Sequence, residues 1–198
     1  MMTTEKEIED FIDRIKRENL GEEQIPGQER EQKLMLLLEN VASGKVEGDA
    51  LYSAIHVFGE AQYYAAEPVV ERFLEHEDPN LRNIALNVLG IHWQSTKHRK
   101  VFESFLCNQE EDEDNRGMAA SCLGFICWGT KDKAALRTLL RFFKDDNEDW
   151  FVRASAYDAI LDVWGVPYQG RPSAAKKLDF ERDVDWTLIQ EIEKYVQA

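Results

Sequence analysis

Apolar and polar positions along this chain fall into a phrase that is written more than once. DPNLRNIALNVLG (78–90) is an acid-and-proline turn running into an apolar helix that stops at glycine, and it returns loosely as DEDNRGMAASCLG (112–124) and DWFVRASAYDAIL (149–161). Aligned on Arg82, Arg116 and Arg153, the positions three and seven residues later are Ala85/Leu89, Ala119/Leu123 and Ala156/Ile160. A weaker copy starts at Leu51, with Ala54, Phe58 and Gly59, so the anchors lie 31, 34 and 37 residues apart. Such a period is the signature of a repeat architecture. Upstream of each anchor lies a second apolar segment of helical period: Leu34 to Leu38, Val69 to Leu74, Val101 to Leu106 and Leu136 to Phe143. Each unit therefore reads helix, acidic turn, helix. A lone pair of this kind cannot bury both apolar faces, so the hairpins must stack.

The turn acid precedes the arginine by four residues in Asp78/Arg82, Asp112/Arg116 and Asp149/Arg153. An acid at a helix start caps free N–H groups, and an arginine one turn later can pair with its own or a neighbouring repeat's acid. These six residues are therefore read as structural. Gly59, Gly90 and Gly124 are expected to end their helices in a left-handed conformation, and Leu161 breaks that pattern.

The second-helix phrase resembles the HEAT repeat, in the bacterial variety called phycobilisome-lyase-like, whose second helix reads D-x-x-x-R-x-x-A-x-x-A-L-G. DPNLRNIALNVLG matches closely, the other two copies more loosely, and GDALYSAIHVFG (48–59) lacks the arginine. The resemblance covers roughly residues 30–165 and speaks to fold rather than to chemistry. It implies an all-α, right-handed α-solenoid of about four HEAT-like helical hairpins with helical caps. The expected boundaries are 1–27 for an N-terminal capping helix and loop, 28–63, 64–95, 96–130 and 131–165 for the hairpins, and 166–198 for a loop and C-terminal capping helix. Thr4 to Asn19 places Ile8, Phe11, Ile12 and Ile15 on one face of a polar helix. The stretch GVPYQGRPSAAKK (165–177) is a loop of local positive charge, and Asp185 is the expected N-cap of DWTLIQEIEKYV (185–196).

Composition adds chiefly a charge argument. Hydrophobic residues make up 43% and charged residues 31% of 198 residues, ordinary for a soluble fold with a sizeable core. The longest apolar runs, such as LMLLL (34–38), are too short to span a bilayer. MMTTEKEIEDF lacks the basic-then-apolar layout of a signal peptide, so a cytoplasmic protein is expected. Cys107, Cys122 and Cys127 have no paired metal-ligand spacing and read as reduced core thiols. The net charge of −14 opposes a direct, sequence-independent grip on nucleic acid, because phosphates must be neutralised by Lys and Arg.

Three sets of residues could carry a partner. The first is an acidic ridge of intra-repeat turns, with Glu75, Glu77, Glu110, Glu111, Glu113, Asp114, Asp145, Asp146 and Glu148, stacked about 10 Å apart at helix-packing distance. Those runs lack the ligand alternation and glycine of an EF-hand. The second is an aromatic series, Tyr63, Trp93, Trp128 and Trp164, each 11 or 12 residues after its anchor, serving either as inter-repeat packing or as exposed anchors. The third is the polar side of the second helices, where Tyr52, Asn83, Asn87, Ser121, Asp158 and Asp162 should face a groove.

Catalytic readings fare worse. His56, His76, His92 and His98 are the only imidazoles, and His92 and His98 are six apart rather than three or four. HEAT-repeat di-iron hydroxylases carry His-Glu inside the second helix, where this chain has Asn83-Ile84 and Gly117-Met118. Solenoid alkyl-base DNA glycosylases need a basic groove, which the net charge opposes. No phosphate loop, G-x-S-x-G or zinc-finger spacing is present. The expectation is a non-enzymatic, cofactor-free and metal-free protein-binding module, a monomer or weak homodimer, with a basic protein partner and no membrane. Two alternatives stand beside it: a bilin-lyase-like accessory subunit, implied by the resemblance, and an immunity-type inhibitor of a basic toxin or nuclease, suggested by charge and size.

Overall fold

A computed structural model describes residues 5–169, 171–172 and 177–198. The helix start expected at Thr4, and Gly170 and residues 173–176 of the expected loop, lie outside the described residues. All regular elements among the described residues are helical. The chain divides into two units, Met1–Trp93 and Gln94–Ala198.

The first unit holds α1 (Glu5–Asn19), α2 (Gly27–Ala42), α3 (Gly48–Glu60), α4 (Glu67–Arg72, continued by a 3-10 turn Phe73–Glu75) and α5 (Pro79–Asn87). A π-helical turn, Val88–His92, extends α5. The apolar stripe of α1 does what its spacing predicts, burying Ile8, Phe11, Ile12 and Ile15. Helix α1 packs on α3, which also packs on α2 and α5. Phe11, Leu34, Leu37, Ile55, Phe58, Ile84 and Leu89 are fully buried in this unit's core.

The second unit holds α6 (Arg99–Cys107), α7 (Glu113–Ile126), α8 (Lys133–Phe143), α9 (Trp150–Trp164) and α10 (Trp186–Gln197). Here α7 packs along α9, α6 on α7, α8 on α9 and α10 on α8. Phe102, Leu106, Leu136, Phe143 and Ile160 fill the core. Helix α10 starts as its sequence says it should, with the Asp185 carboxylate accepting from Leu188 N–H at 2.9 Å.

The acid-to-arginine spacing resolves into two separate tasks. Asp78, Asp112 and Asp149 each accept a hydrogen bond from the N–H two residues on, at 2.9, 3.0 and 2.7 Å, which satisfies donors that a helix start leaves open. The arginines reach back instead to the end of the preceding helix. Arg82 donates to the carbonyls of His76 and Glu77 at 2.7 and 3.0 Å. Arg116 donates to Leu106 and Arg153 to Phe143, ten residues back in each case, at 3.3 and 3.2 Å. The last carbonyls of a helix lack internal partners, so Arg116 and Arg153 tie the first helix of their hairpin to the second, while Arg82 pins the turn between them.

The glycine expectation needs correcting. Gly59 and Gly124 lie inside α3 and α7, Gly90 lies inside the π turn, and none of the three has positive φ. Gly59 and Gly124 are small because the next second helix passes close. A Cβ on Gly59 would meet Val88 Cγ2 at 2.9 Å, and one on Gly124 would meet the Ala159 backbone at 2.8 Å. The left-handed turns come later, at Gln62, Gln94, Gly129 and Gly165, with φ of 53, 48, 65 and 84°. Gln62 and Gly165 are αL caps, closing α3 and α9 with the same pair of backbone bonds, and Gly165 does so four residues beyond Leu161.

Candidate functional site

In the first unit, the N-termini of α3 and α5 sit beside each other and border an open groove of about 740 Å³. Glu47 and Asp49 line it from the start of α3, and Glu77 and Asp78 from the start of α5. These acids are where the local fold needs them, since carboxylates are favourable at the positive end of a helix. Asp78 Oδ1 is engaged as a cap. Tyr52 follows Asp49 by three residues, so the two share a helix face; its ring is 40% exposed in the groove wall. Leu81 and Leu51 supply apolar surface, and the lining contains no lysine or arginine. His76 accepts the Asp78 N–H on Nδ1 at 3.0 Å, which leaves the ring proton of its neutral form on Nε2. The arrangement suits a cationic side chain, with its carbon stem along Tyr52 and Leu81 and its charge among the carboxylates.

The acidic residues named from sequence do not share one environment. Glu77 lines the groove, and Glu75 is exposed in the same unit. In the second unit Glu110, Glu113 and Asp114 are exposed. Glu111 is half-buried and accepts from Asn115 Nδ2 at 2.8 Å. Asp145 accepts from Asn147 N–H at 3.0 Å, and Asp146 pairs with Arg153 at 2.9 Å. Glu148 must leave the ridge altogether: its side chain is 5% exposed and forms a two-pronged pair with Arg116 at 2.9 and 2.5 Å. Burial raises its pKa, but the Arg116 hydrogen bonds, the Asp149 N–H and the Arg116 charge together bring it below the ordinary glutamate value.

Nor do the aromatics form one exposed row. Trp93 is buried, with Tyr64 at 5.4 Å between ring centroids. Tyr63 is half-buried near Phe58. Trp164 is half-buried between Lys131 Nζ, 4.1 Å from its ring, and Tyr195 at 5.3 Å. Trp128 alone of the four is exposed, at 41%. Its place beside α9 is fixed by two backbone bonds just after it, Gly129 N–H to Asp162 O and Lys131 N–H to Val163 O, both 2.9 Å.

Of the groove residues, Tyr52 and Asp158 are exposed, and Asn83, Asn87 and Ser121 are half-buried. Asp162 is 2% exposed, contrary to its assignment to an open face. Its Oδ2 lies against Gly124 of α7, and Arg171 donates to its Oδ1 at 2.7 Å and to Asp158 Oδ1 at 3.1 Å. Burial pushes the Asp162 carboxyl up to about 6, with the hydrogen bond and charge of Arg171 working against that rise.

The histidines occupy varied positions. His56 Nδ1 lies 3.8 Å from Glu60 Oε1, and the His56 and His92 rings meet edge-on at 5.2 Å. Burial first, then the neighbouring His56, holds His92 below the ordinary histidine value. His98 is buried, with Nδ1 3.0 Å from Ser95 Oγ. Cys122 and Cys127 are buried as expected, whereas Cys107 is exposed, with Arg141 Nη2 at 3.1 Å from its sulfur. Burial pushes both buried thiols up.

Sequence reasoning missed Glu47 and Asp49, because the first repeat lacks the arginine that flags the others. It also missed Arg99, which bridges to Asp132 at 2.8 and 2.9 Å and holds that carboxyl far below its usual range. Both residues sit at starts of first helices, outside the second-helix phrase.

No helix among the described residues is long and apolar enough to cross a membrane. No curated protein and no solved structure matches the chain. A family model for HEAT repeats matches residues 66–161, the stretch that carries all three arginine-anchored phrases and the capping and clamping geometry just described. That stretch of the chain is therefore built of HEAT repeats.

Proposed function

We propose that this chain is a non-enzymatic protein-binding module that takes a basic segment of its partner in the acidic groove between α3 and α5. HEAT repeats commonly mediate protein–protein interaction, and the family is typically a non-enzymatic scaffold. The observation that carries the finer reading is the groove lining: Glu47, Asp49, Glu77 and Asp78 beside exposed Tyr52, with no lysine or arginine in the lining. The net charge of −14 adds long-range steering of a cationic partner. Tyr52 supplies the rigid aromatic contact that dominates binding energies once charges have met. An immunity-type inhibitor of a basic nuclease is the version of this reading that charge and size favour. A phycobilisome-lyase-like role rests on the second-helix motif alone.

The test is a titration of a fluorescent Lys/Arg-rich peptide against three proteins of equal circular dichroism: wild type, Glu47→Gln/Asp49→Asn/Glu77→Gln, and Glu110→Gln/Glu113→Gln/Asp114→Asn. Asp78 is left intact as a cap. The groove variant should lose at least about tenfold in affinity, with a shallower salt dependence, since charged contacts of this kind are each worth on the order of 1 kcal/mol or more. Equal loss in the exposed-turn variant would return the site to the second unit's acidic turns.

A further inference from the structure

Arg171 is the most enclosed cation described in the second unit that does not come from a repeat helix. Its side chain is 4% exposed, yet it arrives on the segment that follows α9. One terminal nitrogen donates to Asp162 and Asp158, which lie one turn apart on α9, at 2.7 and 3.1 Å. The other donates to the carbonyl of Val166. The guanidinium carbon lies 4.4 Å from the Tyr168 ring and 5.4 Å from the Trp128 ring, and the two rings are 4.9 Å apart. Its Nε is buried without a hydrogen-bond partner among the described residues.

The fixed parts of this arrangement belong to the repeats. Asp158 and Asp162 project from α9, and Trp128 is held against α9 by the backbone bonds of Gly129 and Lys131. The parts that bring the arginine belong to the following segment: Tyr168 stacks on Trp128, and Arg171 N–H bonds only as far as Tyr168 O, at 3.2 Å. A carboxylate pair beside an indole face is the combination that selects a planar guanidinium over an ammonium. Asp158 stays 59% exposed and Trp128 41% exposed, so the mouth of the seat is open to solvent even while it is filled.

We infer that Asp158, Asp162 and Trp128 form a seat for an arginine side chain, held in this chain by its own Arg171, and that an arginine of a basic protein partner takes the seat when Arg171 leaves it. The site lies in the second unit and shares no residue with the acidic groove of the first, so either stands without the other. The segment after α9 then works as an internal competitor. Partner affinity is reduced by the fraction of time the seat is filled from within, and a partner that binds displaces Arg171 and Tyr168 from the repeat face.

The test uses the full chain and two acetylated, amidated peptides, Gly-Arg-Gly and Gly-Lys-Gly, followed through the Trp128 indole N–H resonance, assigned with Trp128→Phe. Arg171→Ala should bind Gly-Arg-Gly at least about tenfold more tightly than wild type, because the competitor is gone. It should bind Gly-Lys-Gly at least about tenfold more weakly than Gly-Arg-Gly, because a point charge cannot use the fork and the ring face together. Adding Asp162→Asn should remove the binding. Tyr168→Ala loosens the strap at a residue 54% exposed and should show an intermediate gain, which keeps the test decisive if Arg171→Ala does not fold. Absence of any gain in the folded variants, or equal binding of the two peptides, overturns the inference and makes Arg171 a structural clasp.

Discussion

Replacing Glu148 by alanine would strip Arg116 of its carboxylate while leaving the guanidinium where it is. The two side chains are 4% and 5% exposed and meet through both terminal nitrogens, at 2.9 and 2.5 Å. What would remain around Arg116 is the Leu106 carbonyl at 3.3 Å and the Phe142 ring at 5.8 Å. An uncompensated buried charge of this kind costs about 3–5 kcal/mol. For a chain of this length that is a fall in Tm of about 6–20 °C, at roughly 2–4 °C per kcal/mol. Glu113→Ala, in an exposed turn of the same unit, removes a charge of equal sign near a helix start and should cost less than about 1 kcal/mol. Urea unfolding read by tryptophan fluorescence suits the comparison, because Trp128, Trp150, Trp164 and Trp186 lie in the second unit and only Trp93 in the first. The double variant Arg116→Met/Glu148→Leu should recover most of the loss, since an apolar pair of similar volume removes the orphaned charge. Equal, small losses for Glu148→Ala and Glu113→Ala would contradict the buried-pair account and restore Glu148 to a solvated acidic surface.

Gly124→Ala should cost about 1–3 kcal/mol in urea unfolding, because the new methyl meets Ala159 backbone at 2.8 Å, which cannot swing aside; Gly27→Ala, with nothing within 4 Å, should be neutral or gain up to about 1 kcal/mol. Asp162 is raised from 3.8 to about 6 in the folded chain, so between those values the native state holds a proton that the unfolded state has lost. The stability of wild type relative to Asp162→Asn should therefore rise as pH falls from above 6 towards 4, and a flat or opposite trend in paired urea melts would contradict the burial argument. Glu148 titrates with the other sign: its lowered pKa contributes stability above the unfolded value of 4.5 that is lost as pH falls below it. A thiol reagent on the native chain should label Cys107 rapidly and leave Cys122 and Cys127 until the chain is unfolded, as counted by intact mass.

How much of this was legible in the sequence depended on whether the cause was local. Asp78, Asp112, Asp149 and Asp185 act within three residues of themselves as caps, so spacing alone identified their role. The stripe Ile8, Phe11, Ile12 and Ile15 was readable for the same reason, since a helix fixes which residues share a face. The arginines were recognised as structural, but their partners were not. Reaching the carbonyls of Leu106 and Phe143 needs the turn between the helices to fold back by a particular amount. Glu148 and Asp146 are neighbours in one acidic run, yet one is sealed on Arg116 and the other is 90% exposed. Composition cannot separate them, because desolvation is set by what packs above.

The helices, their pairing into hairpins, the caps and the repeat phrase were all readable from the chain, because they follow from periodicity and from bonds formed within about one helical turn. Tertiary structure alone decided which small residues were needed for contact. Gly59 and Gly124 look like helix stops in the chain and are close-approach points in the fold. It also decided which aromatics face solvent, since Trp93 and Trp128 follow their anchor arginines by 11 and 12 residues and differ in what covers them. The two candidate binding places came from it as well: the groove where two capped helix starts meet, and the seat where a segment after the last repeat lays Arg171 over Asp162. Both depend on residues far apart in the chain being brought within a few ångströms, and no local pattern encodes that distance.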